Sequence, residues 1–211
     1  AYYQARARDL ASQGSESAGE LLPEYNHVRY EGSLEDGPLK RWLQHSTQGR
    51  HAQPASLLDA PVLVCTVDHL MPACESTRGG HQILPMLRLM SSDLVLDEPD
   101  DFDIADLPAL TRLVHWAGLL GSRVLLSSAT LPPALVQGLY LAYAAGRAEF
   151  QRHRGRPGTA LDVRCAWFDE FGATTRHHGE DPDGTGFLAS HSTFVERRIA
   201  RLTAAPEIRR R

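Results

Sequence analysis

Asp93-Leu-Val-Leu96-Asp97-Glu98-Pro99-Asp100-Asp101 decides how the chain is read. A short apolar run rises to Leu96 and then gives way at once to carboxylates. The run is too short for a helix and reads as a buried strand. Two other runs have the same form: Pro61-Val-Leu-Val-Cys-Thr-Val67 and Ser122-Arg-Val-Leu-Leu-Ser127. Between and after them lie stretches with helical spacing of apolar residues: Gln82–Met90, Leu107–Leu120, and a helix opened by Pro132 and Pro133 that runs to about Gly146. Strands alternating with helices in this way predict an α/β layer with a parallel sheet.

The flanks read differently. Residues 1–60 are mixed, with Arg6–Leu10 and Leu39–Leu43 helical and Gln44–Pro54 a loop. Beyond Gly146, Arg147–Gly158 reads as a basic connector. Leu161–Phe168 alternates like a half-exposed strand, Gly172–Gly186 reads as a polar loop, and His191–Thr203 as a helix with Arg197, Arg198 and Arg201 on its polar side. The expected division is a partial domain over 1–150 and a connector strand, loop and helix over 151–211.

Composition narrows the function classes. The 211 residues are 42% hydrophobic and 23% charged, as in a folded globular protein. No window approaches the roughly 18 apolar residues of a membrane helix, so a cytoplasmic protein is expected. A net charge of −4 argues against a small basic nucleic-acid coat protein. Of the 22 basic residues only Lys40 is lysine. Cys65, Cys74 and Cys165 form no close pair and suit a reducing compartment. His177 and His178, near Glu180, Asp181 and Asp183, could be drawn as a metal site, but their Gly-rich surroundings favour a solvated loop.

Ligands of parallel sheets bind at the carboxyl ends of the strands, and all three predicted strands deliver polar groups there. Asp97 and Glu98 have the Walker B form, in which one carboxylate holds Mg²⁺ and the next polarises a water. An acidic cap ahead of a helix, with Asp103 and Asp106, is the ordinary alternative. Ser127-Ser-Ala-Thr130 follows the next strand, where short hydroxyls can bond to the acidic box or simply cap the following helix. Cys65-Thr66-Val67-Asp68-His69-Leu70 closes the set ahead of the acidic box.

In order and spacing the three motifs resemble those of superfamily 2 helicases, which have a RecA-like fold. Arg78-Gly-Gly-His81, Leu87–Asp103, Asp106–His115 and Val124–Pro133 are similar to the CRISPR-associated helicase–nuclease of type I-F systems. The similarity covers residues 20–155 well and the rest more loosely. It implies that Asp97 holds Mg²⁺, that Glu98 activates the hydrolytic water, and that Asp100 ties the acidic box to Ser128 and Thr130 around ATP. It implies that Thr66 and Asp68 lie along single-stranded DNA. The expected activity is an ATP-dependent helicase moving 3′ to 5′, with a metal-dependent nuclease domain outside this chain. The implied partners are the crRNA-guided type I-F surveillance complex, the CRISPR adaptation integrase and a phage-encoded anti-CRISPR protein.

The sequence contains no Gly-x-x-x-x-Gly-Lys-[Ser/Thr] loop, and its single lysine stands in Asp36-Gly-Pro-Leu-Lys40-Arg41. The expectation is therefore a fragment of a larger motor, inactive by itself. Another superfamily 2 DNA or RNA helicase and a catalytically silent RecA-like binding module remain as alternatives.

Overall fold

The computed structural model describes residues 58, 60–75 and 82–204. The elements in chain order are a 3₁₀ turn at Val67–His69, α1 (Pro72–Glu75), α2 (Ile83–Ser91), β1 (Leu94–Asp97), a second 3₁₀ turn at Pro99–Asp101, α3 (Leu107–Leu120), β2 (Val124–Ser127), α4 (Pro133–Arg154), β3 (Val163–Asp169), β4 (Gly172–His178) and α5 (Thr185–Ala204). Strands β1 and β2 pair in parallel, with Leu94 opposite Val124 and Asp97 opposite Ser127. This parallel sheet with flanking helices is a partial RecA-like α/β arrangement.

Strand alternation sends Leu94 and Leu96 to the helices. They meet Leu89 of α2, Leu110, Leu113, Val114 and Ala117 of α3, and Leu139 of α4 in one core. The spacing of the α3 residues forms a single apolar stripe. Helix α3 stops at Gly121, whose φ of 95° is left-handed and whose N–H returns to Ala117 and Gly118. The other face of the sheet is open, with Val95 59% and Leu125 46% exposed.

A second core joins Val136 and Tyr140 of α4 to Val163, Trp167 and Phe187. Tyr140 stacks on Phe187 with ring centroids 4.2 Å apart. Trp167 Nε1 donates to His191 Nδ1 at 3.2 Å, so a buried indole meets a buried imidazole. The Asp181 carboxylate accepts from the N–H groups of Gly186 and Phe187 and anchors the start of α5.

Four expectations change. Pro61–Val67 is not a strand: the chain bends at Pro61 and Val62 and enters the 3₁₀ turn at Val67, no ladder pairs with it among the described residues, and Val62 and Val64 are 79% and 89% exposed. Its β-branched composition expresses a fit to a pleated surface, and that fit needs a neighbour. Arg147–Gly158 is not a connector, because α4 continues to Arg154 and ends at Gly155. Gly146 looked like a stop and is instead a contact: a Cβ there would collide with the His115 carbonyl oxygen. Gly172–Gly186 is not one loop. Gly172–His178 pairs antiparallel with β3 through a tight turn at Glu170-Phe171, and the last helix starts at Thr185. The reading of Arg6–Leu10, Leu39–Leu43 and Gln44–Pro54 lies outside the described residues.

Two glycines of α4 give opposite expectations. Gly146→Ala forces α3 and α4 apart and should cost about 2–3 kcal/mol. A methyl group added at Gly138 would meet no atom within 4 Å, so Gly138→Ala should add about 0.5–1 kcal/mol through helix propensity. Urea unfolding followed by circular dichroism measures both, and equal signs would refute the assigned helix crossing.

Candidate active site

Both strands of the parallel pair end at the same level. One further bond extends the ladder: the Glu98 N–H donates to the Ser127 carbonyl at 2.7 Å. The chain then turns sharply. Glu98 has φ 47° and ψ 53°, the only left-handed non-glycine residue among those described. A residue with a Cβ costs about 1–2 kcal/mol there relative to ordinary helical dihedrals. Pro99, buried and in the first position of the 3₁₀ turn, fixes the exit direction. Asp97 and Glu98 therefore stand exposed at a strand end, and Asp100 turns back toward the end of β2.

Thr130 Oγ1 donates to Asp100 Oδ2 at 2.5 Å. The other oxygen, Oδ1, is sealed from solvent. Hydrogen bonding from the Ser128 hydroxyl, then from Thr130, holds the Asp100 carboxyl below the ordinary aspartate range. Ser128 Oγ also accepts from the Thr130 N–H at 3.0 Å, which shapes the turn that presents both hydroxyls. Asp97, Glu98, Asp100, Ser128 and Thr130 thus come together at one edge of the sheet.

Neither helix that follows is capped by these groups. Helix α4 has Pro132 at its cap position and no side-chain cap bond. Helix α3 has Asp106 there, again with no side-chain cap bond. The ordinary explanation of both polar clusters as helix caps does not describe where their side chains go.

Thr66 and Asp68 occupy a separate position. Thr66 is exposed, has extended dihedrals (φ −69°, ψ 154°) just before the 3₁₀ turn, and accepts through its carbonyl from the His69 N–H at 3.1 Å. Asp68 lines an open groove of about 430 Å³ with Val67, Met71, Phe102 and Asp106. Phe102 and Asp106 follow the acidic turn directly, so the groove joins the Thr66–Asp68 segment to the acidic loop. Phe102 is a groove wall that motif spacing did not single out. Asp93 and Arg123 were also passed over. They stand one residue before their strands, and the Arg123 fork grips the Asp93 carboxylate, with Nη2 to Oδ2 at 2.6 Å. The pair is exposed and contributes alignment more than stability.

His177 and His178 do not form a metal site. They lie on β4: His177 Nδ1 meets Asp162 Oδ2 at 2.8 Å, while His178 is buried against Tyr140, Trp167 and Phe187. Burial lowers the pKa of the His178 imidazole. No group of three or more ligating side chains able to hold a metal occurs among the described residues. Among them, too, no helix is long and apolar enough to cross a membrane.

The lowered Asp100 pKa has a testable sign. The stability it contributes is fully present above the unfolded-state aspartate pKa and is lost as pH falls through the lower folded value. The Ser128→Ala/Thr130→Val double variant should return the Asp100 carboxyl midpoint upward in a ¹³C NMR titration. An unmoved midpoint would refute the role of the two hydroxyls.

No protein-family model matches the chain. It is 64% identical over 197 residues to a Pseudomonas aeruginosa protein named CRISPR-associated nuclease/helicase Cas3 subtype I-F/YPEST, a match covering 93% of this chain and 18% of that protein. A Pectobacterium atrosepticum protein of the same name is 55% identical over 200 residues, covering 95% and 18%. A Thermus thermophilus protein named CRISPR-associated endonuclease/helicase Cas3 is 33% identical over 92 residues, covering 44% and 10%. The chain spans 18% of the length of the first two relatives.

Proposed function

We propose that this chain, homologous along nearly its whole length to a segment of the subtype I-F Cas3 nuclease/helicases, is part of an ATP-driven motor on single-stranded DNA. The observation that carries the reading is the Thr130–Asp100 hydrogen bond, which closes the ends of two parallel strands on each other beside two exposed carboxylates. A strand-end carboxylate pair backed by a hydroxyl-bonded aspartate suits a site where one group must hold a cation while its neighbour handles water.

In this reading Asp97 offers hard carboxylate oxygen to Mg²⁺, directly or through water, and its exposed strand-end position fits that donor chemistry. Bound Mg-ATP would supply the phosphoryl group and neutralise its charge. Glu98 orients a water and takes its proton. Its left-handed backbone turns its side chain away from the strand alternation that Asp97 still obeys. Asp100 passes the state of the acidic loop to Ser128 and Thr130, and so to the start of α4. The phosphate cradle comes from outside these 211 residues, since their sequence has no such loop.

Thr66 and Asp68 border the DNA path, with the groove to Phe102 linking that path to the acidic loop. In the whole protein the motor moves 3′ to 5′ and, with a nuclease domain, unwinds and degrades target DNA. The surveillance complex recruits it, the adaptation integrase associates with it, and a phage anti-CRISPR protein is a further partner.

An exchange protein tests the proposal: the Pseudomonas relative carrying this chain in place of its matching segment. It should show DNA-stimulated ATP turnover. Glu98→Gln in it should lower turnover by about a hundredfold or more while a fluorescent ATP analogue still binds. Persistent turnover in that variant would remove Glu98 from the chemistry.

A further inference from the structure

The segment 60–66 leads into Thr66 yet has no strand partner among the described residues, and it exposes Val62 and Val64. Ladder bonds therefore do not fix its position. Its far side is anchored: Val67, Leu70 and Met71 pack against the first core, and the Leu70 N–H closes on the Val67 carbonyl at 2.8 Å. Its near side is held by Arg88. This side chain leaves α2 beside Leu89 and is 8% exposed, the one buried arginine among the described residues. Nη1 donates to the Ala60 carbonyl at 2.6 Å, and Nη2 reaches the Pro61 carbonyl at 3.5 Å.

A buried guanidinium is a costly choice for filling space. Leucine or methionine would serve packing alone with no charge to desolvate. Among the described residues the partners of Arg88 are not carboxylates but two consecutive carbonyls, and the bonds to them offset part of the desolvation. Gripping adjacent carbonyls is what a rigid, forked, charge-assisted donor does well. The charge also reaches along the segment: Arg88 lowers the Cys65 thiol pKa against the larger upward push of burial, one residue before Thr66.

We propose that Arg88 is a positioning residue for the nucleic-acid path, holding the unpaired segment by the Ala60 and Pro61 carbonyls so that Thr66 is presented at a fixed place. The proposal rests on the reading of Thr66 as a DNA contact. It assigns the buried arginine a function that an apolar residue of similar size cannot perform.

The test uses the same exchange protein, with Arg88→Met, Arg88→Lys and Thr66→Ala compared in DNA-stimulated ATP turnover. Loss of charge-assisted bonds predicts an apparent DNA affinity about tenfold weaker in Arg88→Met. Maximal turnover at saturating DNA should stay within about twofold, since only binding is affected. Arg88→Lys, which retains a buried donor, should recover part of the affinity. Unchanged DNA affinity in Arg88→Met, with Thr66→Ala weakened, overturns the positioning role and leaves the Thr66 reading standing. Full affinity in Thr66→Ala overturns that reading instead. If Arg88→Met lowers maximal turnover and melting temperature together with affinity, and Arg88→Lys rescues none of them, Arg88 is a packing residue and the proposal fails.

Discussion

The bond from the Glu98 N–H to the Ser127 carbonyl is the contact on which the strand-end site depends. It is the last rung of a parallel ladder that begins at Leu94 and Val124, and it sets both strands to end at one level. A slip of one residue would turn every side chain of one strand to the opposite face. Leu94 and Leu96 would then leave the core, so apolar burial guards the register. With the register fixed, the left-handed turn at Glu98 and the rigid ring of Pro99 leave the chain one direction to take. That direction brings Asp100 to Thr130.

The helices behind the sheet supply rigidity where the loops supply chemistry. Gly118 and Gly146 let α3 and α4 approach so closely that a methyl group at either would meet the other helix's backbone. Tyr143, beside this crossing, donates its hydroxyl to the Ser122 carbonyl at 3.0 Å, just before β2. The helix crossing is thereby tied to the start of the strand whose end bears Ser128 and Thr130. Helix α4 also carries Val136 and Tyr140 into the second core, so one element spans the site's support and the β3–β4–α5 layer.

The sequence made β1, β2, α2 and α3 legible because each combines a clear apolar period with a defined stop. The acidic turn and the Ser-Ala-Thr turn were legible for the same reason: a polar cluster at the end of an apolar run has to leave the core. What misled was punctuation. Gly146 reads as a helix end by composition, but its function is absence of a side chain at a crossing. Gly172 reads as loop, but it only closes a two-residue turn, after which Thr174 and Thr175 continue as strand. Pro61–Val67 failed for the reverse reason. Its residues suit a sheet, and what a strand also requires is a partner, which lies outside any local pattern. Arg88 was invisible in sequence because a buried arginine inside a helical stripe looks like an exposed one.

Short polar residues after a strand have two physical uses, and the structure separates them. As caps, Ser128 or Thr130 would accept from the first N–H groups of α4, and Asp103 or Asp106 would do so for α3. Neither helix has a side-chain cap bond, although suitable residues stand nearby. Prolines in the first turn of both helices remove a donor that a cap would otherwise serve. The hydroxyls are thus free to act elsewhere: Thr130 donates to Asp100, and Ser128 accepts from the Thr130 N–H and shapes the turn that presents it. Selection for helix stability alone would favour the cap. The Thr130 hydroxyl instead bonds the Asp100 carboxylate across the two strands and so couples the acidic turn to the turn after β2. The same prolines that look like helix punctuation leave those hydroxyls available for the coupling.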